Sequence, residues 1–146
     1  MTQFILGPVL GWLVNFATVF STGGKGWVVD RLEVGAAGGT AGTIGDQKFI
    51  GWGTGAGTAA VGDTTLFTED SGGSPTYARA TGTVSQPAAD TYQVVGTLTA
   101  NGSKTITNAG LFSAVTGGTM MIKGDHAGVP LLLNDSIEYT FQLQVT

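Results

Sequence analysis

The chain has no cysteine and a single histidine in 146 residues. The first absence removes disulfides and thiolate chemistry. Together they leave zinc without the several His or Cys ligands that hold it. Charge is scarce as well: 11% of residues are Asp, Glu, Lys or Arg, and six basic against ten acidic side chains give a formal net charge of -4. Lys25, Arg31, Lys48, Arg79, Lys104 and Lys123 stand singly along the chain. Nucleic-acid binding rests on clustered cations that neutralise phosphates, so no nucleic-acid partner is expected, and no anionic membrane surface. A sustained 3.6-residue apolar period is also missing, apart from one helical turn expected at Asp63–Glu69 with Asp63 as its N-cap.

What is present is glycine, 25 residues of it, among many threonines. Both disfavour helix, and the β-branched residues favour strands. With four prolines, Gly and Pro make up about a fifth of the chain, below the roughly 25–30% of low-complexity disorder. At this length one domain that buries its own core is expected, without metal or disulfide support.

Residues 1–24, MTQFILGPVLGWLVNFATVFSTGG, carry no charged side chain. A membrane-spanning helix needs about 20 apolar residues. Gly7-Pro8 breaks this run, and Gly11, Asn15 and Thr18 dilute it. A secretory signal would carry basic residues before the apolar stretch, which are absent here. A core strand of the same domain is one reading. The preferred one is an apolar arm, residues 1–26, that docks on a neighbouring copy or a different protein through Phe4, Leu6, Leu10, Trp12, Phe16 and Phe20. Six such side chains, buried, are worth on the order of 10 kcal/mol before ordering entropy is subtracted.

From Lys25 the apolar period becomes two. GWVVDRLEVG (26–35) reads as a half-buried strand, AAGGTAGTIGD as a glycine-rich connection, and YARATGTVS (77–85) as a second alternating stretch. TYQVVGTLTA then meets Asn101-Gly102, a strong hairpin signal, and KTITNAGLFSAV meets Gly117-Gly118, another two-residue turn candidate. TMMIKG, a loop GDHAGVP, PLLL and an Asn134-Asp135 turn follow. In the final SIEYTFQLQV, Ile137, Tyr139, Phe141, Leu143 and Val145 face one way and polar residues the other. The expected fold is all-β, an antiparallel β-sandwich or jelly-roll-like domain over 27–146, with the apolar N-terminal arm ahead of it.

The densest glycine stretch, FIGWGTGAGTAAVGDTTLFTED (49–70), matches a relaxed dinucleotide fingerprint at Gly55-x-Gly57-x-x-Ala60. That fingerprint needs a parallel strand before it and a long helix after it, and neither pattern is there. Lys25 in GGKG lacks the upstream glycine of a P-loop. The stretch therefore reads as a structural loop built on Gly51, Trp52, Gly53, Gly55 and Asp63. In this reading a strand at Phe49–Trp52 leaves the sheet, and Trp52, Leu66 and Phe67 cover one end of the core. No cofactor and no catalytic or metal residue is expected. His126 reads as a solvated loop side chain. Asp63, Glu69 and Asp70 offer calcium-like oxygens, but a cap plus solvated charges explains them better. The sequons at Asn101-Gly-Ser103 and Asn134-Asp-Ser136 read as hairpin turns.

GWGTGAGTAAVGDTTLFTE, YARATGTVS, TYQVVGTLTANGSKTITNAGLFSAVTGGTMMIK and NDSIEYTFQLQV resemble, over roughly residues 49–146, a family of small tailed-bacteriophage virion proteins. The most specific pieces are Gly51–Gly55, Asp63–Glu69 and Ile106–Phe112, with Asn108 standing where that pattern commonly has Glu. The resemblance implies a non-enzymatic structural protein on the virion. One role is a capsid decoration (cement) protein on the head surface that bridges major capsid subunits, with the major capsid protein and copies of itself, as a homotrimer, for partners. The other role is a tail-fibre or tail-tip module, where loops such as 70–76 or 124–129 would meet tail proteins or a host receptor.

Overall fold

The computed structural model describes residues 3–5, 13–15, 19–20, 47–70 and 79–144. Among them every regular element is a strand and every strand pairing is antiparallel. The strands are β1 (Gln3–Ile5), β2 (Leu13–Asn15), β3 (Val19–Phe20), β4 (Phe49–Gly53), β5 (Ala80–Thr81), β6 (Thr83–Ala88), β7 (Thr91–Thr99), β8 (Lys104–Phe112), β9 (Met120–Leu131) and β10 (Ser136–Gln144). The larger sheet runs β3-β9-β8-β4-β5 and the smaller β10-β7-β6, while β1 pairs with β2. This is the two-sheet antiparallel architecture expected from the alternation. No described helix is long and apolar enough to cross a membrane.

Period-two patterning builds the core. Ile137, Tyr139 and Phe141 of β10 are buried, and they lie opposite Leu98, Gly96 and Val94 of β7. The larger sheet answers with Ile50 and Trp52 from β4, Ile106, Ala109 and Leu111 from β8, and Met121, Ile122, Val129 and Leu131 from β9. Each large side chain so buried contributes about 1.5–3 kcal/mol. The inward residues of β8 change parity, Ile106 then Ala109 and Leu111, because a register shift falls between Ile106 and Asn108. That shift turns Thr107 and Asn108 together toward the opposite face, away from the core.

Several local readings change. Asn101-Gly102 does not close a hairpin. Both edges of β7 are taken, by β10 and β6, and both edges of β8 by β4 and β9, so the connection crosses between sheets. The crossing lets the apolar faces of β7 and β8 oppose each other rather than lie side by side. Asn134-Asp135 does form a turn, with Asn134 at φ 70 and Asp135 N–H donating to Leu132 O at 3.1 Å, but it too joins the two sheets. Gly117-Gly118, both at positive φ, lie within a wider β8–β9 hairpin loop closed by the Ser113 N–H to Thr119 O bond of 3.0 Å. Residues 124–129 are not a loop. They continue β9, and the bulge opposite Thr107 takes up the extra residues.

The helical turn at Asp63–Glu69 is absent: the segment has turns only, and Asp63 caps a turn whose Ala60 N–H its carboxylate accepts at 3.1 Å. Trp52 and Leu66 do not cover the same end of the core. Trp52 belongs to the inter-sheet core, whereas Leu66 packs with Phe112, Met120 and Phe49 on the other face of the larger sheet. The described part of the 77–85 stretch, from Arg79 on, splits at Gly82 into β5 and β6, where an added Cβ would strike Val94.

In the arm, Phe4 lies on β1 opposite Val14, and Phe20 on β3 opposite Ile122 of β9. Leu6, Leu10, Trp12 and Phe16 lie outside the described residues, as do the boundary at 26/27, the strand expected at 26–35, most of the 70–76 loop and Val145.

Candidate functional site

The segment from Thr54 to Asp70 folds as an Ω-like loop over the outer face of the larger sheet. Its stem is closed by backbone bonds from Thr54 N to Thr68 O, Gly55 N to Phe67 O and Asp70 N to Trp52 O, at 3.1, 2.9 and 3.0 Å. The glycine spacing follows from this geometry. A Cβ at Gly53 would sit 2.5 Å from Phe67 O, one at Gly55 2.8 Å from the same oxygen, and one at Gly57 2.6 Å from the Phe67 ring. These glycines let the chain lie against Phe67. On the sheet beneath, Leu66 rests over Gly110, whose Cβ would come 3.1 Å from Leu66 Cδ2.

Asn108 is the hub. It is fully buried, accepts from Phe67 N–H through Oδ1 at 3.1 Å, and donates from Nδ2 to Phe67 O and Gly55 O, both at 3.1 Å. Thr107 beside it donates to Gly55 O at 2.6 Å. A neutral amide suits this place because it must give and accept at once, which a carboxylate cannot do.

Three carboxylates of the loop meet three cations of the body. Lys123 Nζ, on β9, lies 2.8 Å from Asp63 Oδ2, donates to Thr65 O at 3.0 Å and sits 3.1 Å from the centroid of the Phe67 ring. Arg79 grips Glu69 through two bonds, of 2.7 and 3.1 Å, and stacks 3.3 Å from the centroid of Phe112. Its remaining nitrogen donates to Ala114 O and Gly117 O of the hairpin loop, at 2.9 and 2.6 Å. Lys104 bonds Asp70 at 2.5 Å and Asn101 Oδ1 at 2.7 Å, and Trp52 Nε1 donates to the same Asp70 oxygen. The cations are 1–12% exposed and the carboxylates 20–26%, so the pairs bury their positive ends. The Lys123 bond, with the Ala60 N–H second, holds the Asp63 carboxyl below its usual value.

The three carboxylates therefore diverge to separate partners, and no described group of three or more His, Asp or Glu converges as a metal site. His126 departs from its solvated reading. On the bulged part of β9 its Nδ1 donates to Ala127 O at 2.8 Å, which leaves Nε2 to accept the Tyr139 hydroxyl at 3.2 Å. Burial lowers the imidazole pKa, against the opposing pull of Ala127 O and Asp125, and burial pushes the Tyr139 phenol far above its ordinary range. Asp125 points the other way and accepts Ala59 N–H at 2.7 Å.

Of the loop residues read from sequence, the structure brings Gly53, Gly55 and Asp63 together around Phe67 and Lys123, while Trp52 turns into the inter-sheet core and meets the loop base through Asp70, and Gly51 lies on β4 opposite Gly110. Sequence reasoning missed Lys123, Arg79 and Lys104 as clamps. Lone cations in a sparsely charged chain were the available signal. Elsewhere the surface offers Leu132 and Leu133, 66% and 62% exposed at the inter-sheet turn, and β6, exposed along its whole length at one edge of the smaller sheet. Comparison of the chain with protein-family models, with curated proteins and with solved structures finds no match.

Proposed function

We propose that the chain is a non-enzymatic structural protein of a tailed-bacteriophage virion, a capsid decoration protein that stabilises the head by bridging major capsid subunits as a homotrimer. The observation that carries this reading is the use made of the ionisable groups around the glycine loop. Asp63 and Glu69 are committed to the buried Lys123 and Arg79, and Asp70 to the half-buried Lys104, so their charge stiffens a surface rather than facing a cleft. A rigid β scaffold with small-residue loops and an apolar arm suits assembly, where several weak contacts add through effective concentration. The motif resemblance at Gly51–Gly55, Asp63–Glu69 and Ile106–Phe112 points the same way. Closed symmetry is the usual form for such oligomers, and icosahedral shells offer threefold positions.

Copy number in purified virions tests the reading. A stoichiometry that scales with the major capsid protein supports decoration. A handful of copies at the tail replaces it with the tail-fibre or tail-tip role, and absence from virions overturns both. Deletion of residues 1–24 tests the arm: a folded domain that no longer decorates particles is expected, and full occupancy by the deletion variant would show that the arm is not the anchor.

A further inference from the structure

We propose that the tip of the Ω-like loop, residues 59–67, is a latch that Lys123 holds shut through Asp63, and that it opens in acid while the β-sandwich stays folded. The geometry separates the tip from the core. The inter-sheet cluster takes no side chain from the tip, whose one buried apolar residue is Leu66, packed in the small outer cluster with Phe112 and Met120. One ammonium gathers three parts of the tip: the Asp63 carboxylate, the Thr65 carbonyl and the Phe67 ring.

The charged groups around the tip come from few places. From β9, Lys123 faces Asp63 and Asp125 faces the Ala59 N–H. At the loop base, Glu69 faces Arg79, and Asp70 faces Lys104 of β8 and the Trp52 N–H of β4. His126 turns to Tyr139. Asp63 is thus the tip's own titrating carboxylate. Its pKa is depressed in the folded state, so its contribution is present above the ordinary value of 3.8 and is lost as pH falls through the lower folded value. Once it is protonated, Lys123, 1% exposed, is a buried cation without a counter-charge, a strongly unfavourable state. Lifting the tip hydrates Lys123, at the cost of the Leu66 contacts, the Asn108 bonds to Phe67 and the Asp125 bond to the Ala59 N–H, whose groups water then serves. Such partial openings of loops below the global unfolding free energy are common. Opening uncovers Phe112, Met120 and Lys123, a basic and apolar trough.

Hydrogen exchange of the full chain, expressed as protection factors from neutral pH down through the carboxylate range, tests this. The expected result is a loss of protection of at least about tenfold across 59–67, with gain of hydrophobic-dye binding, while amides of β7, β8 and β10 stay protected. Asp63→Asn is expected to be open already at neutral pH. The double variant Asp63→Asn with Lys123→Met, which removes the buried charge along with its partner, is expected to be closed and insensitive to acid. Loss of tip and core protection together in the wild type, or acid opening of the double variant like that of the wild type, overturns the proposal.

Discussion

Asn108 holds both backbone polar groups of Phe67, the N–H through Oδ1 and the carbonyl through Nδ2, each at 3.1 Å. One buried side chain thereby imitates a strand neighbour for a residue that lies in no strand. Replacement by alanine leaves the Phe67 N–H without its partner, while the Gly55 carbonyl keeps Thr107 and the Phe67 carbonyl keeps the Gly55 N–H. Asn108→Ala is expected to cost about 3 kcal/mol, because an unmade buried hydrogen bond costs more than a made one contributes. Asn108→Asp should fare worse than alanine, since its carboxylate faces the two carbonyls that Nδ2 now serves. Denaturant unfolding of the three proteins checks the order.

The loop glycines divide into two kinds. Gly53→Ala would place its methyl 2.5 Å from Phe67 O and within 3 Å of the Asn108 amide, so a loss of about 2 kcal/mol or more is expected as the hub shifts. Gly62→Ala meets nothing within 4 Å at a site without positive φ and should gain about 0.4–1 kcal/mol through the unfolded chain. Thermal unfolding of the two variants should move in opposite directions.

Thr68 adopts φ 48, a left-handed conformation that is unfavourable for a β-branched residue. Its carbonyl accepts from Thr54 N–H, so the stem of the loop imposes the strain. Thr68→Gly is expected to raise stability by about 1 kcal/mol, the left-handed penalty less the added chain entropy of glycine. Asn134, at φ 70, already has a side chain that tolerates this region, and Asn134→Gly should change stability little. Chemical denaturation at neutral pH separates the two cases.

His126 gives the fold a pH dependence in the mildly acidic range. Its folded pKa lies below the ordinary 6.5, so the unfolded chain binds the proton more readily. Stability is therefore complete above 6.5 and declines as pH falls from there to the folded value. His126→Gln keeps an acceptor for the Tyr139 hydroxyl and removes the titration. Its melting temperature should vary less across that window than that of the wild type, and an unchanged slope would assign the dependence to another group.

Local alternation was enough to read the all-β class, the strand β10 with Ile137, Tyr139 and Phe141 inward, and the strand at Phe49 that ends in a glycine loop. Side-chain parity is a property of adjacent residues, and so it is visible in the chain itself. Turn chemistry was legible at Asn134, Gly117 and Gly118, which adopt the positive φ their residue types accept. It was misleading at Asn101-Gly102, because a turn signal says that the chain bends and not which strand it will pair with.

The amino-acid order alone determined that these segments are extended, which face of each is apolar, and that charge is too thin to form a basic surface. Tertiary structure decided the rest: the sheet crossings at 100–103 and 132–135, the bulge that keeps His126 on a strand, and the pairing of Asp63, Glu69 and Asp70 with Lys123, Arg79 and Lys104. Those partners lie 10 to 60 residues apart along the chain. Pairing at that range depends on which edges and faces remain available once both sheets have formed, and local residue pattern carries no record of that.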